Sequence, residues 1–375
     1  MRKLLRTSFR YLLGLACVSV VTLTTDAAAP FSDLKTRNVI LVTTDGLRWQ
    51  EVFGGAEAAL LNKEHGGVER TNELRAAFLR ETPEARRAAL LPFFWSVVAK
   101  QGQLFGNTNQ GSVVKVSNGM KFSYPGYNEM LSGAPDPRID SNDRKPNPNV
   151  TVLEWLHQKP RWHGRVAAFC SWDVLAFTLN RERSGLHVRA GWEPMALGKP
   201  DPRQELLNQL IADTTRAFDD VLFDSFTWAG ALDYLQRRRP RVLYVMFGET
   251  DDWAHAGRYD LALEAAHRFD ARVRRLWESV QAIPQYRNRT TLLLTTDHGR
   301  GSGLTEWKDH GQKIDGAEFI WLAALGPDTP AKGERANTGP LTQSQVAATL
   351  AAFLGEDYCA AFPQAGQPIR ELFKK

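Results

Sequence analysis

Asn38-Val39-Ile40-Leu41-Val42-Thr43-Thr44-Asp45-Gly46 is an apolar, β-branched run that stops at an acid and a glycine. Its composition suits a strand buried on both faces, as in a parallel sheet covered by helices, and predicts a strand over Asn38–Thr43. The carboxylate of Asp45 then emerges at the strand's C-terminal end, where α/β folds place ligands. Alone this is weak evidence, because Asp-Gly is also a common turn. Working outward, similar β-rich runs predict strands at Arg165–Phe169, Val242–Phe247, Thr291–Thr295 and Phe319–Ala324. Helical patterns lie between them. In the clearest, Arg258–Val280, residues Leu261, Ala265, Phe269, Val273, Leu276 and Val280 form one stripe. Another runs over Gln343–Leu354, with Gly355 placed to cap it. This alternation is the pattern of an α/β fold with a largely parallel central sheet and helices on both faces.

Ala134–Asn149 carries four prolines and three asparagines and reads as a loop, as does Gly191–Pro202. Residues 54–91 read as a helical insertion, and residues 30–375 as one domain. The first 29 residues read as an export signal: Arg2, Lys3, Arg6 and Arg10 precede an apolar run of about 15 residues, and Ala27-Ala28-Ala29 offers a cleavage site. That run falls short of the roughly 20 residues that span a bilayer, and no later segment reads as a membrane span. The whole chain has 47 Lys+Arg against 42 Asp+Glu; without its first 29 residues it has 43 against 41. The basic excess is mostly the leader's own, so binding to duplex nucleic acid or to a membrane does not follow from it. A periplasmic or secreted location is expected. Cys170 and Cys359 remain after cleavage, and the sequence leaves their pairing open, as it does the oligomeric state.

The strand-end pattern of Asp45 recurs twice. After Val242–Phe247, Asp251 and His255 stand four residues apart, close enough on a compact turn to reach one cation. A helix-capping Asp beside a surface His would read the same way. After Thr291–Thr295 come Asp297 and His298, with His310 twelve residues further on; Gly299, Gly301 and Gly303 supply the irregular backbone that adjacent ligands need. Three Asp and three His make two three-ligand sites, suited to two divalent metal ions such as zinc and open to substrate oxygens. His65, His157, His163, His187 and His267 fall outside the pattern. Ser123 precedes a short helical segment ended by Gly133; a helix N-terminus and a metal would both favour its alkoxide, although it could instead serve only as an N-cap.

Together, Asp45, Ser123, Asp251 with His255, Asp297-His298 and His310 resemble, in order and type, the alkaline phosphatase superfamily, closest to its type I phosphodiesterase/nucleotide pyrophosphatase branch. Ser123-Tyr124-Pro125, with Gly133 ten residues on, matches that branch's nucleophile segment, except that the branch commonly uses Thr. The late segment Gln343–Leu350 resembles the superfamily's final core helix, and the likeness spans roughly Asn38 to Ile369. The resemblance implies an alkaline phosphatase-like fold. It also implies that Asp251, His255 and His310 bind one zinc and that Asp45, Asp297 and His298 bind the other. Ser123 would attack phosphorus, and water would then hydrolyse the phosphoserine. Asn142 stands nearest the spacing of the family's phosphate-binding asparagine, with Asn147 and Asn149 also close; Lys121 is an alternative by its proximity to Ser123.

The expected substrate is a small phosphate ester, with diesters or nucleotides slightly favoured over monoesters. An alkaline phosphomonoesterase is the alternative, toward which Ser123 leans. A sulfatase of the usual kind needs Cys/Ser-x-Pro-x-Arg, whereas Gly126-Tyr127 follows Pro125 here. A phosphomutase fits an exported chain poorly.

Overall fold

The computed structural model describes residue 31, residues 33–195 and residues 200–374; the export signal expected at residues 1–29 lies outside the described residues. Among these, eight strands form the central sheet, in the order Gly333–Glu334, Gln103–Phe105, Leu322–Leu325, Thr290–Thr295, Asn38–Thr44, Val242–Phe247, Val166–Cys170 and His187–Ala190. Leu322–Leu325 alone runs antiparallel to its neighbours. The strand predicted over Asn38–Thr43 is central: Val39 pairs with Val242 on one side and with Thr291 on the other.

Successive residues of the strands point to opposite faces, and each face has its own core. Val39, Leu41, Tyr244 and Met246 pack on one side with Val346, Leu350 and Phe353 of the helix Gln345–Phe353. Ile40, Val42, Leu243 and Val245 pack on the other with Phe269, Val273 and Leu276 of the helix Tyr259–Ala282. The molecule is therefore a mixed α/β protein with helices on both faces of a largely parallel central sheet. On the long helix the buried stripe takes in Leu263 rather than the expected Leu261.

The predicted strand Phe319–Ala324 divides. Phe319–Ile320 joins a small second sheet with Val114–Lys115 and Leu341–Thr342, and Leu322–Leu325 joins the central one. Trp321 stands at the break, its indole N–H donating to the Leu47 carbonyl at 2.9 Å. Ala134–Asn149 contains no helix or strand, and between Gly54 and Leu91 the chain forms only short helices.

Candidate active site

The register of the central strands sets up the site. Thr44 lies level with Phe247, and Thr43 with Thr295, so the segments that follow all leave from one edge of the sheet. Asp45 comes next on the central strand, its N–H bonded to the Phe247 carbonyl at 2.8 Å. After Val242–Phe247 the helix Glu249–His255 begins at once, and its i, i+4 geometry puts Asp251 and His255 on one face. Asp224 fixes that helix's start by accepting from the Gly248 N–H at 2.8 Å. Gln343 steadies the third segment, donating to the carbonyls of Thr296 at 3.1 Å and Asp297 at 2.7 Å.

The six sequence-predicted side chains meet as two groups, Asp251 with His255 and His310, and Asp45 with Asp297 and His298, the donor atoms of each lying within 4.8 Å of one another. In the second, His298 Nε2 is 3.2 Å from Asp45 Oδ1 and 3.4 Å from Asp297 Oδ2. In the first, His255 Nε2 is 3.3 Å from Asp251 Oδ2 and 2.8 Å from His310 Nε2. Donor atoms around one tetrahedral zinc stand about 3.3 Å apart, so both groups have the spacing of a cation's ligands.

The hydrogen bonding fits the same group. His298 Nδ1 lies 2.9 Å from the Gly299 carbonyl and His310 Nδ1 3.3 Å from that of Lys121, which assigns a proton to each Nδ1 and leaves each Nε2 lone pair facing the cluster. Asp45 Oδ1 and Asp297 Oδ2 are buried without a hydrogen-bond partner, and both face His298 Nε2. Burial, reinforced by the charge of Asp251, holds Asp45 well above the usual carboxylate range; burial and the charge of Asp45 do the same to Asp297. Burial, then the neighbouring His298, pushes His310 down to about 2. Two raised acids, Asp45 and Asp297, each with an unpartnered oxygen on His298 Nε2, leave that group short of positive charge, the deficit that a divalent cation would fill.

Ser123 is the first residue of the helix Ser123–Ser132, and its Oγ lies 3.3 Å from His298 Nε2. Phe122, not Ser123, is the N-cap. Gly126 permits this approach: a Cβ there would stand 2.4 Å from the Asp297 carbonyl oxygen. Asn142 Oδ1 accepts the Tyr124 N–H at 3.0 Å, which places Asn142 at the start of the same helix with its amide N–H groups uncommitted to that bond. Asn147 and Asn149 instead donate to Asn128 Oδ1, away from Ser123. The Lys121 ammonium is paired with Glu318 at 2.9 Å and donates to the Ile314 carbonyl, while its own carbonyl meets His310.

Three further residues belong to the site. Tyr127, one helical turn after Ser123, donates its hydroxyl to Asp45 Oδ2 at 3.0 Å. Arg300 is buried with its guanidinium on Asp251. Burial opposes the charge of Asp251, but Arg300 and His255 together outweigh it and hold that carboxyl well below the usual range. Asp252 is pushed up to about 9 by burial and then by Asp251. The i, i+4 spacing from Ser123 was a signal for Tyr127; nothing in the run Gly299–Gly303 marked Arg300.

The model of the type I phosphodiesterase / nucleotide pyrophosphatase family matches residues 64–315. No curated protein matches the chain. Among solved structures, alkaline phosphatase PafA superposes with a TM-score of 0.59 at 10% identity, covering 92% of this chain and 100% of its own. Ps i-CgsB in complex with k-i-k-neocarrahexaose gives 0.52 at 16% identity, covering 88% of this chain and 75% of its own. The phosphonate monoester hydrolase of Agrobacterium radiobacter gives 0.47 at 13% identity, covering 89% and 78%.

Proposed function

The chain belongs to the type I phosphodiesterase/nucleotide pyrophosphatase family of alkaline phosphatase-superfamily hydrolases, and from that premise we propose that it hydrolyses phosphate esters with Ser123 as nucleophile beside two divalent cations, zinc by ligand type. The observation that carries this reading is the 3.3 Å approach of Ser123 Oγ, at a helix N-terminus, to His298 Nε2 of the Asp45, Asp297 and His298 group. Asp251, His255 and His310 would hold one cation, and Asp45, Asp297 and His298 the other. The cations, when bound, supply Lewis-acid polarisation of the phosphoryl group and charge for the departing alkoxide.

The chain's own residues do the rest. Ser123 Oγ forms the bond to phosphorus as the ester P–O bond opposite it breaks, giving a phosphoserine and an alcohol; water then cleaves the phosphoserine and regenerates the hydroxyl. Asn142, held by the Tyr124 N–H, offers its amide N–H groups to a phosphoryl oxygen, and the helix N-terminus favours the same charge.

In this reading diester or nucleotide substrates are slightly favoured over monoesters. A monoester brings a second negative charge, and the lysine nearest Ser123 is already neutralised by Glu318. The alternative, an alkaline phosphomonoesterase, draws on Ser123 standing where this branch commonly has Thr. Export to the periplasm or medium with removal of residues 1–29 completes the reading, and N-terminal sequencing of protein from the native host tests it. Among the described residues no helix is long and apolar enough to cross a membrane.

Side-by-side kcat/KM values for a p-nitrophenyl phosphate monoester, a phenyl phosphodiester and the sulfate ester test the assignment. The diester is expected to lead or equal the monoester, with sulfate far below both; a sulfate preference overturns it.

A further inference from the structure

Arg300 is 1% exposed, so its charge is stable only if paired. Its Nη2 donates to Asp251 Oδ1 and, at 3.1 Å, to the Asp251 carbonyl oxygen; its Nη1 donates to the Lys308 carbonyl. One guanidinium thus joins three segments that carry the candidate cation ligands. It stands two residues after His298, it grips Asp251 on the helix Glu249–His255, and it grips Lys308 two residues before His310. Only a planar, many-donor fork can make all of these bonds at once; a lysine ammonium cannot.

We propose that Arg300 is a positioning residue for the cation held by Asp251, His255 and His310. The inference rests on the two-cation reading above. Arg300 takes up Oδ1 of Asp251, the oxygen 3.7 Å from His310 Nε2, and leaves Oδ2, 3.3 Å from His255 Nε2, free for that cation. It makes Asp251 a one-oxygen ligand and ties the spacing of His310 to that of Asp251. The second group, Asp45 with Asp297 and His298, makes no hydrogen bond to the guanidinium, so the effect falls unequally on the two sites. A purely structural ion pair would lower the stability of the fold without distinguishing them.

The test compares wild type, Arg300→Met and Arg300→Lys, each stripped and reloaded with cobalt(II) as a visible probe. Affinity is read by competition with a chromogenic chelator, and thermal melts are run alongside. Wild type is expected to bind two ions. Arg300→Met should keep one at wild-type affinity and bind the other about 10- to 100-fold more weakly, with a changed spectrum for that ion alone, as loss of a group that orients a ligand typically does. Arg300→Lys keeps the charge and much of the volume, so it serves as the folded reporter if the Met variant is unstable; it should weaken the same ion by a smaller factor. Two ions at wild-type affinity in both variants overturn the inference, as does equal weakening of both ions in step with the melting temperature. Wild type that binds no cobalt overturns the two-cation reading and this one with it.

Discussion

Gly46 is where a single methyl group would press on three side chains of the candidate site at once. Its backbone φ is 58°, and a Cβ built there stands 2.6 Å from Asp251 Oδ1, 3.0 Å from Arg300 Nε and 3.2 Å from His298 Cε1. Gly46→Ala therefore meets two costs. A left-handed conformation disfavours an L-residue by about 1–2 kcal/mol. The contact at 2.6 Å is well inside the roughly 3.4 Å of a close C···O approach. Relief would have to come from Asp251, which Arg300 holds, or from wholly buried His298, so overpacking adds about 1–3 kcal/mol. The expected loss of stability is about 2–5 kcal/mol, with cation affinity weakened by about 10-fold or more as Asp251 is displaced. Gly164→Ala is the control: its φ is 69° and nothing lies within 4 Å of its Cβ, so it carries the strain term alone. Urea melts, chelator competition and kcat/KM on both variants read the difference. Equal destabilisation of the two, with cation binding and turnover intact in Gly46→Ala, refutes the reasoning.

Tyr127→Phe removes the hydroxyl that bonds Asp45 Oδ2 while keeping the buried ring, and should weaken one bound cation by about 10-fold with little change in melting temperature; unchanged affinity would remove Tyr127 from the site. Asp270, which accepts the N–H groups of Phe93 and Phe94 at 2.8 Å each, is raised by burial to about 6. Below about pH 4 the folded and unfolded chains both hold this proton; between about 4 and 6 only the folded chain does, so this contribution to stability is lost as pH rises through 6, by up to about 3 kcal/mol. Urea melts from pH 4 to 7 should show wild type gaining on Asp270→Asn toward acid, and a pH-independent difference would contradict the assignment.

The sheet and the six Asp/His side chains were legible because long apolar strands end in chemically distinctive residues: Thr43-Thr44-Asp45 and Thr295-Thr296-Asp297 each show strand, stop and acid in a row. Gln103–Phe105 and Gly333–Glu334 were not, since two or three residues without alternation carry no period; His187–Ala190 does alternate, but four residues are too few to set a period, and all three are strands only because a neighbour pairs with them. The break at Trp321 was hidden for a related reason: the run around it is uniformly apolar, and the indole's bond to Leu47 is a long-range contact. Arg300, in a glycine-rich run, has the look of a solvated loop residue, and its burial depends on Asp251 arriving from another strand. Of the asparagines near the spacing from Ser123, only packing separates Asn142 at the start of the helix that begins with Ser123 from Asn147 and Asn149 on Asn128.

Trapping the covalent intermediate tests the central claim most directly. Cation-loaded protein is mixed with a rapidly cleaved phosphate ester, quenched in acid during turnover and digested, and the peptides are weighed and fragmented. The account predicts one phosphoryl group on the peptide containing Ser123, located at that residue and absent from Ser123→Ala, whose kcat should fall about 10³-fold or more. An unmodified Ser123 peptide, together with near-wild-type turnover in Ser123→Ala, would contradict it and assign the attack on phosphorus to water.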